Sequence, residues 1–120
     1  MTIPSGVKSI GSYTFQSCTS LRSVTIPDSI TSIDGMAFKG CTSLTNITIP
    51  DSVTSIGTYT FEGCTSLSSI TIQATTPPTL RLDAFNNTND CPIYVPAESV
   101  DAYKSATNWS SYASRIKAIN

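Results

Sequence analysis

Apolar residues return along this chain at a fixed interval. Three successive stretches, Ile3 to Thr25, Ile26 to Thr48 and Ile49 to Thr71, are each 23 residues long, and Ile72 opens a fourth, degenerate one. The first and third agree at 15 of 23 positions, as do the second and third. The matched columns are apolar or thiol: Ile3/Ile26/Ile49/Ile72, Val7/Ile30/Val53, Ile10/Ile33/Ile56, Phe15/Phe38/Phe61, Cys18/Cys41/Cys64, Leu21/Leu44/Leu67 and Val24/Ile47/Ile70. A period of this length predicts a solenoid, in which each repeat is one coil and stacked neighbours close a common core.

Within each coil the run Leu21-x-x-Val24-x-Ile26 alternates, as do its copies at Leu44 to Ile49 and Leu67 to Ile72. Alternation of period two predicts a short strand with Val24 and Ile26 inward and Ser23 and Thr25 outward, stacked in parallel on the next coil. Pro27-Asp28 and Pro50-Asp51 follow the strand and turn the chain out of the sheet. Ile30 and Ile33 then point back into the core, and Gly40-Cys41 and Gly63-Cys64 close the coil.

After Ile72 the pattern changes. Phe85 falls one residue late, and Thr76-Pro77-Pro78 contains two residues without an amide donor, so the ladder is expected to stop there. The chain is read as three repeats and the start of a fourth over 1–75, then a degenerate last repeat and a β/α cap over 76–120. In that cap a helix is predicted from Glu98 to Thr107, and Trp109, Tyr112, Ile116 and Ile119 add apolar surface to cover the last coil.

Composition narrows the functions open to such a chain. Charged residues make up 12% and nearly cancel at a net −1, which leaves no electrostatic footprint for nucleic acid. No basic segment followed by a long apolar run is present, so neither a signal peptide nor membrane insertion is expected. Serine and threonine supply 37 of the 120 residues, yet the regular apolar columns argue against a disordered polar tract. Three of the four cysteines share one column, where parallel side chains lack the opposed geometry of a disulfide, and free buried thiols are expected; Cys91 is read as the end of that column. Without histidine or a CxxC pair, no metal and no cofactor is expected, and no acid/base or nucleophile constellation suggests an enzyme.

The stretches IPDSITSIDGMAFKGCTSLTNIT and IPDSVTSIGTYTFEGCTSLSSIT resemble the leucine-rich repeats of the BspA-like type, found in surface proteins of Bacteroides and related bacteria and in some protozoan parasites. The ordinary leucine-rich pattern asks for Asn or Cys three residues after the strand; Ser29 stands here, as the BspA-like type would have it. The segment from TPPTL through CPIYVPAESVDAYKSATNWSSYASRIKAIN resembles the ending of the same family. The resemblance implies adhesion, with a protein ligand such as a host extracellular-matrix protein, on a cell surface or as a secreted part of a larger protein.

A binding surface follows from the strands themselves. The outward columns Ser23/Asn46/Ser69 and Thr25/Thr48/Thr71, flanked by Arg22/Thr45/Ser68, form a hydroxyl-rich, almost uncharged ladder that can hydrogen-bond a partner with little desolvation of charge. The competing reading of each residue is a solvated strand position filled by a β-compatible side chain. An intracellular protein that inhibits or scaffolds a partner is the second functional hypothesis. Self-association through the exposed N-terminal coil is a further expectation.

Overall fold

The computed structural model describes residues 2–119. Eight short strands lie in two four-stranded parallel sheets. One contains β1 (Ser9–Ile10), β2 (Ser32–Ile33), β4 (Ser55–Ile56) and β6 (Thr79–Leu80); the other contains β3 (Asn46–Ile49), β5 (Ser69–Ile72), β7 (Ile93–Val95) and β8 (Ile116–Ala118). Every coil thus supplies up to two strands, and only the longer one is foreshadowed by alternation. The expected strand at Leu21 to Ile26 is reduced to a single bridge between Thr25 and Thr2. With a full neighbour on one side only, its hydrogen-bond ladder is half made.

Pairing follows the repeat. Ser9 pairs with Ser32, Ser32 with Ser55, and Asn46 with Ser69, each a step of 23 residues. The ladder does not stop at the prolines. Ser55 pairs with Thr79, a step of 24, and Ile70 pairs with Ile93 at 23 again. The extra residue is absorbed around Thr76-Pro77-Pro78. The amides that reach back to the previous coil are those of Thr79 to Thr54 O (2.9 Å) and Arg81 to Ile56 O (3.0 Å), so neither proline occupies a donor position. The sheet even continues past β7, since Ile93 pairs with Ile116.

Each coil crosses from its short strand to its longer one through a turn built on the aromatic column. Phe15, Phe38, Phe61 and Phe85 stack with centroids 5.1, 5.2 and 5.7 Å apart and planes within 13° of parallel. Coil spacing sets that distance, and the rings follow it. Two turn positions recur in the left-handed region in each repeat: Tyr13, Met36, Tyr59 and Asp83 at one, and Ser17, Gly40, Gly63 and Asn87 at the other, with Gly6, Asn89 and Asp90 besides. Gly40 and Gly63 therefore close the coil because positive φ is free of strain for glycine. Gly57 is needed for another reason: a Cβ there would lie 2.3 Å from the Gly35 backbone nitrogen of the coil before.

The cysteines are thiols, three buried and Cys18 half-buried. Cys41 Sγ donates to Phe15 O and Cys64 Sγ to Phe38 O, both at 3.1 Å, so each buried thiol is tied to the preceding coil. Three residues after Phe85 stands Thr88, not a cysteine. Cys91 stands six residues after Phe85 and two before Ile93, close enough to Cys64 to weigh against its ionisation. The neighbouring Cys41 sulfur and burial together hold the Cys64 thiol far above the usual cysteine range.

The last coil runs from Pro96 to β8. Its helical part is shorter than expected: a 3-10 turn at Ala97–Ser99, then α1 (Val100–Ser105), then a 3-10 segment at Trp109–Arg115. Tyr103 is fully buried and Val100 half-buried. Phe85 meets Trp109 at 5.7 Å and the edge of Tyr112 at 5.4 Å. Side chains of this coil also take up backbone groups of the one before it. Tyr103 donates to Ala74 O (2.6 Å), Ser99 to Thr75 O (2.6 Å), Trp109 Nε1 to Pro78 O (2.8 Å), Asn108 to Leu80 O (2.7 Å) and Arg115 Nε to Cys91 O (2.8 Å). The Phe85 amide donates to the Tyr112 hydroxyl.

Candidate functional site

The outward face of the longer-strand sheet carries the residues singled out in the sequence. Its inward residues Ile47, Ile49, Ile70 and Ile72 are buried, which forces Asn46, Thr48, Ser69 and Thr71 to the other side of the strands. Arg22, Ser23, Thr25, Thr45, Asn46, Thr48 and Ser68 are exposed; Ser69 and Thr71 are half-buried. Asn46 stands beside Ser69 and Thr48 beside Thr71 in direct register.

The columns differ in what their hydroxyls are doing. Thr45 Oγ1 donates to Arg22 O (3.4 Å) and Ser68 Oγ to Thr45 O (3.0 Å), and on the other sheet Thr31 and Thr54 donate likewise to Lys8 O (3.2 Å) and Thr31 O (3.1 Å). These flanking hydroxyls reinforce the ladder and keep only lone pairs for a partner. Among the described residues Thr48 and Thr71 make no such side-chain bond, so both donor and acceptor remain available on that column.

Two residues of the face were missed in the sequence. Tyr94 follows Thr71 in register and Lys117 follows Tyr94, so the outward paired column reads Thr48, Thr71, Tyr94, Lys117. A step of 23 from Thr71 finds both. The signal was hidden by the expectation that the ladder ended at Pro77-Pro78. Tyr94 is half-buried and Lys117 exposed. The column thus ends in an aromatic ring and a cation, the residue types that anchor protein interfaces or steer their approach.

No acidic residue lies in these columns. Asp28 and Asp51 are exposed in the turns that follow the strands, and Lys39 with Glu62 (3.4 Å) forms the ion pair of the opposite, turn-lined side. A groove of 420 Å³ opens next to the face where coil 4 carries its extra residue, between Asp51 and Val53 on one side and Gln73, Pro77 and Pro78 on the other. Among the described residues no cluster of His, Cys, Asp or Glu is arranged to hold a metal, and no helix is long and apolar enough to cross a membrane.

Short parallel strands repeating every 23 residues over an inner column of Leu, Ile and Phe define a leucine-rich-repeat fold. The family model described as BspA type leucine rich repeat region matches residues 1–113 in six copies, and the chain belongs to that family. Among solved structures it is similar to a leucine-rich repeat protein from Bacteroides ovatus, at 31% sequence identity and a TM-score of 0.66 over 97% of this chain. The chain spans 31% of the length of that protein. No curated protein matches it.

Proposed function

We propose that this chain is a non-enzymatic protein-recognition module of a bacterial surface or adhesin-type protein, and that it binds its partner through the outward strand face. The observation that carries this reading is the column Thr48, Thr71, Tyr94: exposed or half-buried, in continuous register, and free of charge until Lys117, with Thr25 one repeat before it in sequence. A partner can exchange water for hydroxyls there without burying an unpaired ion. A protein ligand of the host extracellular matrix fits the family resemblance. Within this reading residues 1–75 are three repeats and the start of a fourth, and 76–120, which add Tyr94 to the face, form a degenerate last repeat and C-terminal cap, which the side-chain bonds to Ala74, Thr75, Pro78, Leu80 and Cys91 support.

The alternative is an intracellular bacterial or phage protein that inhibits or scaffolds a partner. The reduced, buried thiol column favours it, because such thiols suit a reducing compartment. Self-association through the N-terminal coil is a separate proposal for the same molecule.

The test is affinity capture with this domain as bait, against host-matrix proteins and bacterial lysate in parallel, with Thr48→Arg as control. Capture of a matrix protein, weakened about tenfold or more by Thr48→Arg, is the expected outcome. Capture unaffected by the substitution removes the face from the account. Capture from lysate alone favours the intracellular reading.

A further inference from the structure

The corner that opens each coil is built alike in coils 2 and 3 and differently in coil 4. In the first two the amides of Ile30 and Val53 close a tight turn on Pro27 O and Pro50 O, at 3.1 and 3.2 Å. In coil 4 the equivalent residues are Gln73 and Thr76, and among the described residues the Thr76 amide has no backbone acceptor. Thr76 precedes Pro77, which disfavours the compact backbone of a turn at that residue. The corner stays open. Two grooves meet there, of 420 and 630 Å³, and Asp51 and Gln73 line both.

Charge in the joined grooves has one sign. Asp28 and Asp51 stand at equivalent positions of successive corners and Glu98 lines the second groove with them, while among the described residues no Lys or Arg lines either. All three carboxylates are exposed, and among the described residues none makes an ion pair or a hydrogen bond. Like charges one coil apart repel, and a cation between them removes that cost. The walls beside the acids are apolar: Val53 and Pro78 are buried, Pro77 and Pro96 half-buried. Proline rings supply this surface without a competing amide donor. An anionic partner is repelled here; a cationic head on an apolar stem fits.

We propose that the joined grooves accept an extended, basic segment of a partner protein. A carbonyl of that segment accepts from the Thr76 amide, the stem of a lysine or arginine lies against the prolines, and its head meets Asp28, Asp51 and Glu98. This site shares no residue with the outward strand face and does not rest on the adhesin reading.

The experiment is a titration of the isotope-labelled protein, followed by amide NMR, with two blocked peptides: Arg-Thr-Arg-Val-Arg-Thr and its counterpart with glutamate in place of arginine. The expected result is movement of the Asp51, Gln73 and Thr76 amide signals with the basic peptide alone, and a Kd that rises about tenfold or more in 0.5 M salt. Asp28→Asn with Asp51→Asn, which keep size and remove charge, should weaken the basic peptide about fivefold or more. Asp28→Lys with Asp51→Lys should turn the preference to the acidic peptide. Asn46→Ala should leave the titration unchanged, which separates this site from the strand face. Equal response to both peptides, no movement of these signals, or an unchanged Kd in the asparagine variant would overturn the proposal. So would the same movement with calcium alone, the mark of an ion site, or broadening of these amides with protein concentration alone, the mark of a second copy.

Discussion

The two ends of the stack solve the same problem differently. At the C-terminal end the last regular coil offers carbonyls, and the coil that follows meets them with side-chain donors: hydroxyls, an indole, an amide and a guanidinium. Phe85 is covered there by Trp109 and Tyr112 and is fully buried. At the N-terminal end, among the described residues, the Lys8, Gly11 and Arg22 amides have no acceptor, Phe15 remains 9% exposed, and Tyr13 is exposed. A buried unmatched carbonyl costs more than an exposed unmatched amide, which water satisfies. The aromatic cover and the side-chain donors therefore belong together at the C-terminal end.

Removing the cover should make the ends alike. Trp109→Ala takes away the ring over Phe85 and the donor to Pro78 O, and should lower unfolding free energy by about 3–5 kcal/mol in chemical denaturation. Tyr13→Ala, at the open end, should change it by less than about 0.5 kcal/mol. A cost below about 1 kcal/mol for Trp109→Ala would mean that the last coil contributes little to the stack.

The aromatic column sharpens the comparison at a smaller scale. Phe61→Leu, between two stacked neighbours, should cost about 1 kcal/mol more than Phe15→Leu, which has a neighbour ring on one side only. Equal costs would show that stacking on both faces is without effect along the column.

Alkaline titration tests the C-terminal end again. Burial raises the Tyr103 hydroxyl above its ordinary value of 10.0. The unfolded chain then ionises first, so this stabilisation is complete below about pH 10 and is lost as pH climbs toward the folded value. Tyr103→Phe should cost about 1 kcal/mol at pH 7 through the lost bond to Ala74 O, and should flatten the decline of stability above pH 10. An unchanged slope would assign the alkaline loss to other groups.

The smallest effect is kinetic. Cys18, half-buried at the open end, should react with an aromatic disulfide reagent under native conditions well before Cys64, whose thiol is buried, bonded to Phe38 O and held un-ionised. Simultaneous reaction of both would mean that the coils open together.

Much of this architecture is legible in the residues. The columns of Ile, Leu and Phe fix the period, and the alternation at Asn46 to Ile49 and Ser69 to Ile72 gives strand and outward face together. Ser9–Ile10 and its copies are strands that no pattern announces, because two residues cannot show alternation. Pro77 and Pro78 suggested an end to the ladder, since residue type reveals a missing donor but not whether that position donates. Tyr13, Met36 and Tyr59 share a left-handed backbone that none of their side chains prefers, imposed by the turn around the Phe column. The Thr45 and Ser68 hydroxyls each donate to a carbonyl of the coil before, a bond that residue type alone does not show.

The single extra residue near Pro77 enters after one sheet has formed its strand and is cancelled before that sheet forms the next, so Ile70 still faces Ile93. Length changes in the connecting turns are thus insulated from the outward rows. Such a molecule can vary the depth and chemistry of its margins from one coil to the next while the phase of its display surface stays locked.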